Sequence, residues 1–264
     1  MNRNSVSIAA VILLAALIVV AIVSTVPSHD DTETLYQVST IDALLAGVYE
    51  GSHTIAEVKQ HGDLGLGTLD ALDGEMIVVD GTVYQVKYDG AVVVVPDTMT
   101  TPFVAVTWFD PDITREIAGP VNLTDLQTQL DSTYPSPNLF YAIRIDGVFS
   151  SVTTRSVPAQ EKPYPPLVEV VKNQSVFEYA DMQGTIVGFW SPAFVEGINV
   201  PGYHFHVISD DRTKGGHLLD CSIDRAVVQI DTTGGFFLDI PREGDFHAVD
   251  FGAGRGDELA QVER

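Results

Sequence analysis

The chain has 264 residues, 45% of them hydrophobic, with nine tyrosines and twelve phenylalanines, which excludes intrinsic disorder and leaves room for one large core or two smaller ones. Lys and Arg number 14 against 36 Asp and Glu, and the formal charge of −22 excludes a nucleic-acid partner, since phosphate binding rests on basic residues displacing counterions. The acids are spread along the chain and read as a solvated surface suited to high salt, where screening quiets self-repulsion.

At the N-terminus, residues 6–26 form an almost unbroken apolar run after Arg3, about the length that spans a bilayer. Residues 1–28 therefore read as an uncleaved membrane anchor or as a long secretory signal removed near Ser24–Ser28. In either case Arg3 stays inside and the globular part faces outwards, exported or membrane-anchored. Residues 29–34 are a polar tether.

From Leu35 the pattern is mostly strands, rich in Val, Ile and Tyr: 35–39, 75–80, 82–88, 91–95 and 103–109. Asp80-Gly81 and Asp89-Gly90 fit tight hairpin turns. Helices are expected at 54–60 and 122–133, the second with Leu123, Leu126 and Leu130 at helical spacing. Strands resume at 139–146 and 148–157, joined across Asp146-Gly147. The proline-rich stretch 158–166 then cannot sit in a central strand and marks the expected boundary between an N-terminal α+β half, 35–158, and a C-terminal metal-binding half, 159–264. A short helix at 167–173 precedes strands at 175–179, 184–190, 203–209, 216–222, 226–231 and 234–240. The fold class is thus α+β, with strand-rich mixed or antiparallel sheets and a few short helices. Two related halves are an open alternative, and the metal site is expected between strands of the second half.

His204 and His206 are one residue apart on an expected strand, so both imidazoles leave the same face. Residues 210–216 (DDRTKGG) carry several turn formers, and a reversal there brings His217 back beside the pair. Three imidazoles with open positions describe a catalytic zinc-type site better than a closed structural one. The competing reading is of two exposed strand histidines. His53, His61 and His247 have no such partners, and His29 lies in the tether. The lone cysteine, Cys221, excludes an intrachain disulfide and reads as buried apolar filler.

The blocks LYQVSTIDALLAGVYEG (35–51), GDLGLGT (62–68), LDGE (72–75), RSVPAQEKPY (155–164), and GYHFH (202–206) through GGH (215–217) together resemble the alpha-acetolactate decarboxylase family. The resemblance runs from Leu35 to the C-terminus. It implies decarboxylation of acetolactate to acetoin and CO2, with His204, His206 and His217 holding Zn2+ or another divalent transition metal. It further implies that Glu75, Arg155 and a C-terminal glutamate, best matched by Glu263, line the site, that Thr68 binds substrate, and that the protein is a homodimer. Glu258 is the rival to Glu263, and Arg144 the rival to Arg155. Without the resemblance Glu75 passes for a turn-flanking acid, Arg155 for a partner of any surface acid, and Glu263 for a terminal charge. The other function classes are a hydrolase or oxygen-using enzyme with the same three histidines, and a non-catalytic binding module stabilised by its metal.

Overall fold

The structure, a computed structural model, describes residues 33–263. The apolar run 6–26, and with it the reading as anchor or signal, lies outside them, as does most of the tether. No helix among the described residues is long and apolar enough to cross a membrane.

Strand β1 (Thr34–Val38) leads into helix α1 (Ile41–Leu45), started by the Thr40 side chain accepting from the Ala43 N–H. After β2 (His53–Thr54), helix α2 (Ile55–Val58) opens on a capping box between Thr54 and Glu57. There follow β3 (Leu64–Thr68), β4 (Glu75–Val79), β5 (Thr82–Val86) and β6 (Val92–Val94). Asp80 and Gly81, at φ 51° and 70°, turn β4 into β5 with the positive-φ pair that a two-residue hairpin needs. Next come β7 (Thr100–Thr101), β8 (Val104–Thr107) and β9 (Ile113–Asn122), then α3 (Leu123–Asp131), whose Asn122 cap accepts from Asp125 N–H. The remainder is β10 (Phe140–Ser156), α4 (Leu167–Val170), β11 (Ser175–Ser191), β12 (Gly202–Ser209), β13 (Gly215–Thr233), β14 (Gly235–Asp239) and α5 (Gly256–Val262).

Seven strands form one sheet in the order β14-β1-β8-β3-β4-β5-β6, antiparallel except for β1 against β14. A second sheet runs β10-β11-β12-β13-β9, and because β10 also pairs with β13 its four long strands close on themselves. The α+β, strand-rich expectation holds. Ile143, Ile145, Phe149, Phe205, Val207 and Leu218 belong to the core of the closed sheet. Leu35, Leu66 and Ile77 of the first sheet share a core with Ala142, Val187 and Ile208 of the second, so the two sheets are joined by apolar burial.

Three expectations are corrected. Asp146-Gly147 is no turn: β10 runs through it, with β11 on one side and β13 on the other. A side chain at 147 would crowd the Arg225 carbonyl and Ala226 at 2.8 Å, so the glycine serves strand packing and not chain reversal. The expected pairs of strands within 175–190 and 216–231 are likewise single long strands, bent at register shifts such as Val148/Phe149 and Thr153/Thr154 on β10. The boundary expected after residue 158 cuts through the second sheet, since β10 before it pairs with β11 and β13 after it, and Thr32–Arg264 is one compact unit.

Candidate active site

Register places the histidines. Residues i and i+2 of a strand share a face, so His204 and His206 both leave β12 on one side. His206 lies directly opposite His217 on β13, and His217 directly opposite Arg155 on β10. One row across three paired strands therefore carries two histidines and an arginine. The three imidazole rings sit with centroids 5.1–5.3 Å apart, and one ligating atom from each lies within 4.8 Å of the others.

The three histidines lie on β12 and β13, strands of the C-terminal half, and the first sheet supplies further groups to the site. Glu75, at the start of β4, faces it from the first sheet with Oε2 3.5 Å from His206 Nε2 and Oε1 3.5 Å from Arg155 Nη1. Thr68 is its register partner on β3. The Thr68 hydroxyl donates to the Gly74 carbonyl at 2.7 Å, so what it can still offer a substrate is an acceptor lone pair. Glu263 follows the last turn of α5 and brings Oε2 to 3.6 Å from His217 Nε2 and 3.9 Å from His204 Nε2. That helix is held by Leu259 and Val262, buried in a cluster with Ile41, Leu44, Tyr49, Leu167 and Val170, each such side chain contributing about 1.5–3 kcal/mol.

All seven groups line one pocket whose other walls are apolar, among them Leu72, Phe103 and Val157. Arg155 is 4% exposed and Glu75 6%. Burial pushes the Glu75 carboxyl up to about 7, with Arg155 opposing and the charge of Glu263 adding to the rise. Burial likewise lifts Glu263 to about 7 against the pull of Arg155. Burial, aided by the Arg155 charge, lowers His204 to about 3 and holds His206 and His217 well below the usual imidazole range. The histidines are thus neutral, and their contacts with the two glutamates are not ion pairs at physiological pH. His206 Nδ1 donates to the Met76 carbonyl at 2.7 Å, which fixes the tautomer and leaves the Nε2 lone pair facing the cluster.

Three neutral imidazole nitrogens, converging beside carboxylates, make a donor set suited to a divalent transition metal, and the residues fit such an ion. Arg155 supplies the complementary feature. Its Nε is buried without a partner, and its one contact with Glu75 is loose, so its guanidinium donors remain for an anion in the pocket.

The rivals fall elsewhere. Arg144 is engaged with Asp80 and Asp146 at 2.6 and 2.7 Å, and Glu258 with Arg255 at 2.9 Å. His53 pairs with Asp239 and His61 stacks on Tyr36 at 3.8 Å, while His247 is exposed. Cys221 is buried, its thiol pushed up to about 12 by desolvation. A larger groove beside Glu50, His53 and Asp239 brings no comparable set of ligating side chains together. Sequence reasoning did not find the Met76 carbonyl, a backbone group with no residue signature, nor the apolar walls Ile41, Leu44, Phe103 and Val262, which read as ordinary core.

Comparison with known proteins gives a consistent result. Residues 35–253 match the family model described as alpha-acetolactate decarboxylase. An alpha-acetolactate decarboxylase of Methanosarcina mazei is 47% identical over 90% of this chain and 82% of its own length, and one of Bacillus licheniformis is 44% identical over 85% and 89%. The crystal structure of alpha-acetolactate decarboxylase from Bacillus subtilis strain 168 superposes with a TM-score of 0.85 at 41% identity, covering 87% of this chain and 99% of that one. A Staphylococcus aureus protein described as similar to alpha-acetolactate decarboxylase gives 0.82 at 32% identity, covering 87% and 98%.

Proposed function

The chain belongs to the alpha-acetolactate decarboxylase family and decarboxylates acetolactate; from that premise we propose that it works as a metal enzyme, releasing acetoin and CO2 through an enediolate protonated by a glutamate. The observation that carries this reading is the convergence of three neutral imidazole nitrogens, a buried arginine with spare donors and a buried glutamate on one pocket.

Acetolactate has a carboxylate and a hydroxyl on one carbon and a ketone on the next. When the bond to the carboxylate breaks, CO2 leaves and its electron pair moves towards the ketone, giving an enediolate. A proton added to the carbon that lost CO2 completes acetoin. His204, His206 and His217 would hold a divalent metal, Zn2+ being the ion such donors most commonly take, with Glu263 as a further ligand or second acid. The ion supplies Lewis-acid polarisation of the ketone and charge stabilisation when bound.

The protein's own residues do the rest. Arg155 receives the substrate carboxylate in a two-pronged hydrogen bond and orients the bond that breaks. As the carboxylate departs as neutral CO2, its fixed positive charge is left facing the enediolate. The Thr68 oxygen accepts from a substrate hydroxyl, and the apolar walls receive the methyl groups. Glu75, held near neutrality by burial, carries the proton delivered to one face of the enediolate, which yields a single hand of product. The apolar run at 6–26 carries a separate proposal, that this activity sits outside the cytoplasm.

The test of the proton donor is Glu75→Gln. General acid catalysis accounts for roughly 10²–10⁴ in rate, so turnover falls by about that factor and the residual product loses its single handedness. Near-normal turnover with unchanged handedness removes Glu75 from this role.

A further inference from the structure

One wall of the pocket comes from helix α5 and the residue after it. Val262, the last residue of the seven-residue helix α5, and Glu263, which follows it, line the pocket, beyond the stretch that matches the family model. Two apolar side chains, Leu259 and Val262, hold the inner face of the helix. A seven-residue helix whose first residue has no side-chain cap is marginal on its own, so the aim of Glu263 depends on what fixes the helix at its start.

That end is built around Arg255. Its Nη1 donates to both carboxylate oxygens of Glu258, at 3.0 and 2.9 Å, and its Nε is buried without a partner. Beside it, the Glu196 carboxylate lies against Gly256, 3.1 Å from where a side chain there would begin, and the Asp42 carboxylate lies as close to Gly197. Asp42 is buried on α1, whose Ile41 and Leu44 are walls of the pocket. Burial raises the Asp42 carboxyl; Arg255 opposes that rise, while Glu196 and Glu258 add to it, so the four groups share one local field. Arg255 thus stands as the basic member among three acids drawn from α1, the 196–197 turn and α5.

We propose that Arg255 is a positioning residue for the reaction: it holds the start of the terminal helix against α1 and the 196–197 turn, and so fixes Glu263 in the metal pocket two turns away. The proposal rests on the reading of Glu263 as a member of the site. Without Arg255 the three acids repel at the helix start, the helix detaches more often, and Glu263 is lost to the pocket while the histidines on their strands stay in place.

The experiment is a double-mutant cycle on the full chain, measuring kcat, KM and bound zinc for Arg255→Gln and Glu263→Gln, singly and together. Arg255→Gln is expected to lower kcat about tenfold with zinc content unchanged, to leave KM within about threefold, and to have no further effect once Glu263→Gln is present. Arg255→Lys, which keeps the charge, recovers most of the loss. An equal loss in both backgrounds, or no loss in either, overturns the proposal. A Glu263→Gln variant of full activity removes Glu263 itself from the site, and the proposal with it. Should Arg255→Gln not fold, the same cycle on Asp42→Asn/Arg255→Gln, which removes a buried acid along with the charge, applies with the same criteria.

Discussion

Replacing Arg155 by glutamine tests the assignment of the substrate carboxylate. Arg155 is 4% exposed, lies opposite His217 in the sheet, has a buried Nε without a partner and touches Glu75 only at 3.5 Å. Its donors are therefore not committed to the fold. A charge-assisted hydrogen bond contributes about 1.5–3 kcal/mol, and the two bonds of a forked arginine–carboxylate pair together about 3–5 kcal/mol. At about 1.4 kcal/mol per factor of ten, Arg155→Gln lowers kcat/KM by roughly 10²–10⁴. Arg155→Lys keeps a charge but loses the fork, and its loss is smaller, about 10–100-fold. Initial rates of acetoin release against acetolactate concentration measure this, with inhibition by acetoin as the control. Acetoin has no carboxylate, so its inhibition constant stays within about threefold in both variants. The reasoning is refuted if Arg155→Gln keeps kcat/KM within about threefold, or if it weakens acetoin as severely as acetolactate, which would mean general collapse of the pocket.

Two further perturbations probe the scaffold. Gly188 faces Phe205 across β11 and β12, and a side chain there would collide with the His204 carbonyl oxygen; Gly188→Ala is expected to displace β12 and reduce bound metal well below one equivalent, as read by elemental analysis, with overall secondary structure retained by circular dichroism. Asp231, 2% exposed near Glu33, Asp110 and Asp112, is pushed up to about 7 chiefly by burial. An acid whose folded pKa exceeds its unfolded value binds more protons when folded, so this residue costs stability as pH rises from about 4 to about 7. Asp231→Asn flattens that part of the stability profile and stabilises the protein by about 1–2 kcal/mol at pH 8 after allowance for solvent screening. An unchanged slope of melting temperature against pH would contradict the assignment.

The parts of the site that were legible were those governed by strand periodicity. His204 and His206 share a face because side chains alternate along a strand, and residues 210–216 announced the reversal that sets His217 opposite His206. Glu75, Arg155 and Glu263 were legible only through the family resemblance. Nothing local distinguishes Glu75 from a turn-flanking acid, and its meaning comes from the packing of the first sheet against the second. Strand β3 (LGLGT) is not legible in the sequence because glycine disfavours strands; here Gly65 and Gly67 admit the neighbouring backbone where side chains would collide with the Ala105 and Phe103 carbonyls. Strand β9 contains Pro120, which hides it in the same way. Gly147 and Gly184 read as breaks because glycine punctuates chains, whereas close pairing within the closed sheet demands them. Helix α5 is too short for periodicity to reveal, and tertiary burial of Leu259 and Val262 stabilises it. The boundary expected at 158 followed from prolines that do mark a loop, but the strands on either side of that loop pair with each other.

The central claim is that decarboxylation depends on a metal held by His204, His206 and His217. The most direct test is elemental analysis coupled to an acetoin assay on the purified full chain, before and after chelation, beside His204→Ala. The account predicts about one equivalent of a divalent transition metal per chain, loss of acetoin formation on chelation, recovery when the ion is restored, and neither bound metal nor activity in the variant. Undiminished acetoin formation by His204→Ala, or by metal-free protein, would contradict it.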